Sequence, residues 1–145
     1  EWNLKPSAIG VMGFSAGGQL AALAATRYDA GNPEAPDMID RVSSKPDFQA
    51  LIYPAIPQNM TLNKEVTPPA FFACGYNDRQ NISEGLPNLY LQYKKAGVQA
   101  ELHVYSNVGH GFGLRLQSDA PVNAWPARFE EWLGQSGFLK RSAVQ

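Results

Sequence analysis

The sequence predicts an α/β fold, a three-layer sandwich in which a mostly parallel sheet of about four strands is flanked by helices. Three observations carry this. Short apolar runs alternate with stretches whose apolar residues recur at helical spacing, the pattern of βαβ units. The run Ala70-Phe71-Phe72-Ala73-Cys74-Gly75 is nearly all apolar instead of alternating, as in a strand covered on both faces. Loops rich in Pro, Asn, Asp and Gly separate each run from the next.

Taken in order, a lead-in over 2–7 ends in the turn Lys5-Pro6-Ser7 and releases the chain into a first strand over 8–14. The small, helix-forming run 16–26 predicts a helix close over the sheet. Residues 29–46 read as surface loop, with one turn of helix near 37–41. Phe48-Gln49-Ala50-Leu51-Ile52-Tyr53 is a second strand, stopped by Pro54 and Pro57. A further loop, 58–69, leads to the third strand at 70–75, which empties into the polar loop 76–81. Ser83 is the expected cap and Pro87 the early proline of a helix that buries Leu86, Leu89, Tyr90, Tyr93 and Ala96 and stops at Gly97. The fourth strand is 100–105, followed by the loop 106–113. A last helix, 124–135, buries Trp125, Phe129, Trp132 and Leu133 before Gly137.

With 145 residues, 44% of them apolar, one compact domain with a real core is expected. A formal net charge of −1 without a basic run gives no electrostatic means of capturing nucleic acid or an anionic membrane surface, so small or neutral partners are expected. No apolar run approaches the roughly 20 residues of a membrane-spanning helix. Cys74 is the only cysteine, which excludes an internal disulfide, and with two histidines it makes a zinc site a poor reading. Gly13, Gly17 and Gly18 match neither the dinucleotide fingerprint nor the phosphate loop, so nucleotide binding is a weak alternative.

The stretch Gly13-Phe14-Ser15-Ala16-Gly17-Gly18 lies where the first strand meets its helix, the context of a nucleophile elbow. In that turn the serine takes a strained backbone, and the residues two before and two after it are expected to lack colliding side chains. In a parallel sheet every loop leaving a strand's carboxyl end emerges on one edge. Ser15, Asp78 and His110 each follow such an end. A serine hydroxyl needs a base to take its proton, an imidazole can do so near neutrality, and a carboxylate can orient that imidazole. Ser15 is therefore the candidate nucleophile, His110 the base and Asp78 the orienting acid, with Ala16 N–H a candidate oxyanion donor. Asp29, Asp47 and Asp119 are rivals for Asp78 but follow no strand end between serine and histidine. His103, in mid-strand, is expected to be structural, and Cys74 a buried strand residue.

With the chain order serine, aspartate, histidine, the sequence resembles the C-terminal half of an α/β-hydrolase, and more narrowly the esterase/lipase-like group that includes acetylxylan esterases and related carbohydrate esterases. The residues carrying this are 9–18, Pro46-Asp47-Phe48 with Ile52-Tyr53-Pro54, and Gly109-His110-Gly111-Phe112-Gly113. The resemblance implies a partial α/β-hydrolase fold over residues 1–145, without the front half that carries a histidine- and glycine-rich oxyanion loop. It implies a serine esterase with the triad Ser15, Asp78 and His110, no cofactor, and a small-molecule or carbohydrate ester as substrate. A peptidase or amidase on the same triad is the alternative within that class, and a noncatalytic fragment acting as an assembly module is the alternative outside it. The first strand, central in such a sheet, would here be an edge. Self-association, association with a missing N-terminal fragment across that edge, or a place for this chain within a larger enzyme is expected.

Overall fold

The structure, a computed structural model, describes residues 4–114 and 119–139. Of the expected lead-in, residues 2 and 3 lie outside the described residues, and the turn at Lys5 is closed by Ala8 N–H donating to Lys5 O at 3.1 Å. The elements follow as β1 (Gly10–Phe14), α1 (Ala16–Thr26), β2 (Phe48–Ile52), β3 (Ala70–Gly75), α2 (Gln80–Ser83), α3 (Gly85–Lys95), β4 (Ala100–Tyr105) and α4 (Trp125–Gln135). Single 3₁₀ turns at Ile39–Arg41 and Pro121–Ala124 interrupt the longer loops. The four strands form one parallel sheet in the order β1-β2-β3-β4.

The layers follow from the alternation of side chains along each strand. Gly13, Leu51 and Phe72 are in register and share one face, where Gly13 meets the α1 backbone at Gly17 and Phe72 packs edge-on against Tyr93 of α3. Phe48 and Phe71 project from the opposite face onto Phe129 and Trp132 of α4. Helices therefore cover both faces, and β3, buried at every residue, is the centre of the core. Burial of this kind is worth roughly 1.5–3 kcal/mol per large apolar side chain. The connection from β2 to β3 contains no helix; it is an irregular crossover punctuated by Pro54, Pro57, Pro68 and Pro69.

Two elements depart from expectation. β1 begins at Gly10, because Ile9 turns its backbone to Asp47 instead of to a strand: Ile9 N–H donates to Asp47 Oδ2 at 2.9 Å and Asp47 N–H to Ile9 O at 2.8 Å. The helix expected to be capped by Ser83 is preceded by the short α2, and Ser83 Oγ donates back to Arg79 O at 3.2 Å, so it caps nothing. That back-bond within the preceding turn competes with the N-cap geometry.

Among the described residues no strand pairs with the outer side of β1, whose residues are far more exposed than those of β3. Ile9, Met12 and Leu20 are exposed beside it, Leu20 at 68%. No described helix is long and apolar enough to cross a membrane.

Candidate active site

Ser15 sits in the single residue between β1 and α1, with φ 52° and ψ −118°. Its N–H donates to Ile52 O at 3.0 Å, and its C=O accepts from Ala55 N–H at 3.0 Å and Gln19 N–H at 3.2 Å. A left-handed backbone is unfavourable for a residue with a Cβ, and these bonds from two elements hold it there. The turn closes only because Gly13 has no side chain: a Cβ there would stand 2.0 Å from Gly17 O. The expectation that Gly17 is likewise excluded from bearing a side chain is not met, since a Cβ at Gly17 has nothing within 4 Å. The second tight position is Gly18, whose added Cβ would lie 2.8 Å from Pro54 Cβ. The helix packs on the β2 exit at that point.

Ser15 Oγ does not cap α1. It lies 2.8 Å from His110 Nε2. His110 Nδ1 in turn lies 3.0 and 2.9 Å from Asp78 Oδ1 and Oδ2. A carboxylate only accepts, so the bonded Nδ1 carries the proton and Nε2 is left to accept from the serine hydroxyl. The Asp78 side chain is fully buried, and its Oδ1 also accepts from Arg79 N–H at 2.7 Å. The His110 side chain remains 26% exposed, so the imidazole still meets solvent while the carboxylate does not.

The loop bearing His110 reaches this point by crossing the end of β3. Gly75 permits the crossing, since a Cβ there would stand 2.2 Å from Val108 O, and Asn77 N–H donates to that carbonyl at 2.8 Å. A cavity of about 240 Å³ flanks His110, bounded by Asn107, Phe112, Val122 and Asn123. A larger cavity of about 430 Å³ lies at the opposite end of the sheet, against Pro69, Gln99 and Ala100, and is lined by no candidate site residue.

Ala16 N–H, the first amide of α1, has no acceptor among the described residues and directly follows Ser15. First-turn amides lack partners within their own helix, and the helix dipole favours negative charge there. Of the rival residues, three are engaged elsewhere and one lies on the surface. Asp47 anchors Ile9, Asp29 Oδ1 accepts from Gly31 N–H at 2.7 Å, Asp119 is exposed, and His103 Nε2 lies 2.7 Å from Glu101 Oε1. Cys74 is buried in β3, and burial, with a smaller push from the Asp78 charge, raises its thiol to about 11. Among the described residues no group of three or more His, Cys, Asp or Glu side chains could hold a metal ion.

The sequence reading placed Tyr53 at the end of a strand and among the residues carrying the family resemblance, but gave it no role at the site. Its ring meets that of His110 in a T-shaped contact at 5.1 Å and that of Phe112 at 4.6 Å, and its hydroxyl accepts from Gly113 N–H at 3.2 Å. An aromatic residue immediately before Pro54, at the carboxyl end of a strand, was the available signal.

Comparison with known proteins agrees with this architecture. The chain is similar to the acetyl ester-xyloside bifunctional hydrolase of Caldicellulosiruptor lactoaceticus, with 31% identity and a TM-score of 0.85 over 94% of this chain and 60% of that one. It is also similar to Thermogutta terrifontis esterase 2 phosphorylated by paraoxon, with 26% identity and a TM-score of 0.70 over 94% of this chain and 57% of that one. Among curated sequences it is similar to an acetylxylan esterase of Xylanibacter ruminicola, 26% identical over 145 residues, taking in 78% of this chain and 28% of that protein. The chain thus spans about three fifths of these solved structures and little more than a quarter of that curated relative. The Dienelactone hydrolase family pattern matches residues 2–142, nearly the whole sequence. With its parallel sheet and strand-turn-helix elbow, the chain is a partial α/β-hydrolase fold and belongs to the dienelactone hydrolase family.

Proposed function

We propose that this chain carries the nucleophile, base and acid of a serine carboxylester hydrolase that removes small acyl groups, foremost acetyl from a carbohydrate. The observation that carries the reading is the unbroken run of hydrogen bonds from Ser15 Oγ through His110 to buried Asp78. The related acetylxylan esterase and acetyl ester-xyloside hydrolase support the substrate class. Residues 1–145 are, in this reading, one unit of an α/β-hydrolase domain whose N-terminal half lies outside them.

Ser15 Oγ attacks the ester carbonyl carbon as its proton passes to His110 Nε2, forming the new C–O bond and an oxyanion. Asp78 keeps the Nδ1 proton facing it and stabilises the imidazolium without taking that proton. Ala16 N–H donates to the oxyanion, an interaction whose loss costs about 10²–10³ in rate at comparable sites. Collapse breaks the bond to the alcohol, which leaves with the proton from Nε2. Water then repeats the sequence on the acyl-Ser15 and releases the acid. The second oxyanion donor comes from polypeptide outside these residues.

A fluorophosphonate probe tests the reading. Ser15 becomes phosphonylated and the Ser15→Ala chain does not. An unlabelled Ser15, together with no turnover of an aryl acetate, refutes the esterase reading for this chain.

A further inference from the structure

We propose that Tyr53 is a positioning residue that sets the placement of His110 against Ser15, a role that rests on the esterase reading above. The segment leaving β2 touches both halves of the pair. On the serine side, Ile52 O accepts from Ser15 N–H, Ala55 N–H donates to Ser15 O, and Pro54 packs against Gly18 of α1. On the histidine side, the Tyr53 ring lies across His110 and Phe112, and its hydroxyl accepts from Gly113 N–H, three residues beyond the imidazole.

The Tyr53 backbone is the second indication. Its φ of 39° lies in the left-handed region, which is costly for an aromatic residue and persists only where the surroundings over-determine it. Tyr53 N–H donates to Ala73 O at 2.6 Å, and the residue is 6% exposed, its ring between those of Phe14 and Phe112. The loop it braces needs bracing, because Gly111 and Gly113 both have positive φ and glycine leaves the backbone the freedom to adopt other conformations. Trp125 Nε1 donates to Gly113 O at 2.9 Å, so Gly113 is fixed at its carbonyl by α4 and at its amide by Tyr53. His110 thus sits on a loop whose far end is tied to the segment that also holds Ser15.

The test compares the 145-residue chain with Tyr53→Phe, which removes only the phenol oxygen, and Tyr53→Leu, which removes the ring. Three readouts are taken: hydrogen exchange of the Gly113 amide, the downfield proton resonance of His110 Nδ1–H on Asp78, and the rate of Ser15 phosphonylation. In Tyr53→Phe, Gly113 exchanges about tenfold faster, the His110 resonance broadens, and labelling slows by roughly three- to tenfold, the range one neutral hydrogen bond supports. Amides of Leu51 and Phe72 in the sheet keep their protection. Tyr53→Leu has the larger effect on the His110 resonance. Unchanged Gly113 exchange and His110 resonance in Tyr53→Phe overturn the proposal, as does a uniform loss of protection that includes Leu51 and Phe72, which would mark a merely structural role. If the parent Ser15 is not labelled while Gly113 and His110 respond as stated, the esterase reading fails and the positioning stands.

Discussion

Alanine at Gly13 and alanine at Gly17 flank the same serine, yet the structure assigns them opposite effects. At Gly13 the new methyl would lie 2.0 Å from Gly17 O, 2.3 Å from Gly17 C and 2.6 Å from Gly18 N, all backbone atoms of the first turn of α1. No rotamer change relieves contacts with backbone, so α1 must shift outward by more than an ångström or the turn must open. Overpacking of this kind costs about 3 kcal/mol, a large share of the roughly 5–15 kcal/mol by which a domain is stable. The shift also lengthens the 2.8 Å approach of Ser15 Oγ to His110 Nε2. At Gly17 the methyl meets nothing within 4 Å, and a glycine is replaced in a helix without a positive φ. A gain of about 0.5 kcal/mol follows from the reduced freedom of the unfolded chain. Urea unfolding gives the stabilities and fluorophosphonate labelling the state of the serine. Gly13→Ala is expected to lose both, and Gly17→Ala to lose neither. If Gly13→Ala unfolds within about 0.5 kcal/mol of the parent, or Gly17→Ala is as damaging as Gly13→Ala, the steric account of the elbow is wrong.

Two further predictions concern alkali and the open edge. The Cys74 thiol is raised from 9.0 to about 11, and burial also raises Tyr93 and Tyr105. The folded state therefore holds these protons longer than the unfolded one, so stability is full below about pH 9 and falls as pH climbs through 11. Urea midpoints at pH 8 and 10.5 measure the fall, and it shrinks in Cys74→Ala; a midpoint independent of pH over that interval contradicts it. At β1, we propose that the edge, unpaired among the described residues and flanked by Ile9 and Leu20, draws this chain into association with a second copy when no other polypeptide covers it. Light scattering is expected to give a mass above one chain that falls with dilution and with Leu20→Lys, whereas a monodisperse monomer at all concentrations counts against it.

β2 and β3 were legible in the sequence because burial on both faces leaves nearly continuous apolar runs, most clearly in β3, whereas β1 and β4 are apolar-rich runs that the described residues cover only in part. The positions of Ser15, Asp78 and His110 at one edge were legible for a different reason: parallel strands send all their carboxyl-end loops to the same side, so chain order alone groups the three. What stayed hidden depends on partners remote in sequence or on backbone angles. The Ser83 hydroxyl had two acceptable uses, capping or back-bonding, and the letters do not choose between them. Gly13 and Gly17 look equivalent in the motif, yet only one faces a backbone carbonyl. Asp47 looked like a rival acid until Ile9 took its carboxylate.

Tyr53 shows why such sites resist reading from local sequence. Its hydroxyl accepts from an amide 60 positions away, and its left-handed φ breaks the local preference of an aromatic residue. Local rules fail most often where a structure holds strain for a purpose, and here the two non-glycine residues nearest the site with positive φ are Ser15 and Tyr53, one at the end of each adjacent strand. Ile52 O and Ala55 N–H tie the first to the β2 exit, and that exit includes the second. With Tyr53 acting as proposed, Ser15 and His110 are positioned from a common support, and a disturbance at 53–55 reaches both without touching Ser15 Oγ or His110 Nε2. An elbow motif names the serine, while the geometry that makes the serine and the imidazole meet lies in the neighbouring strand's exit.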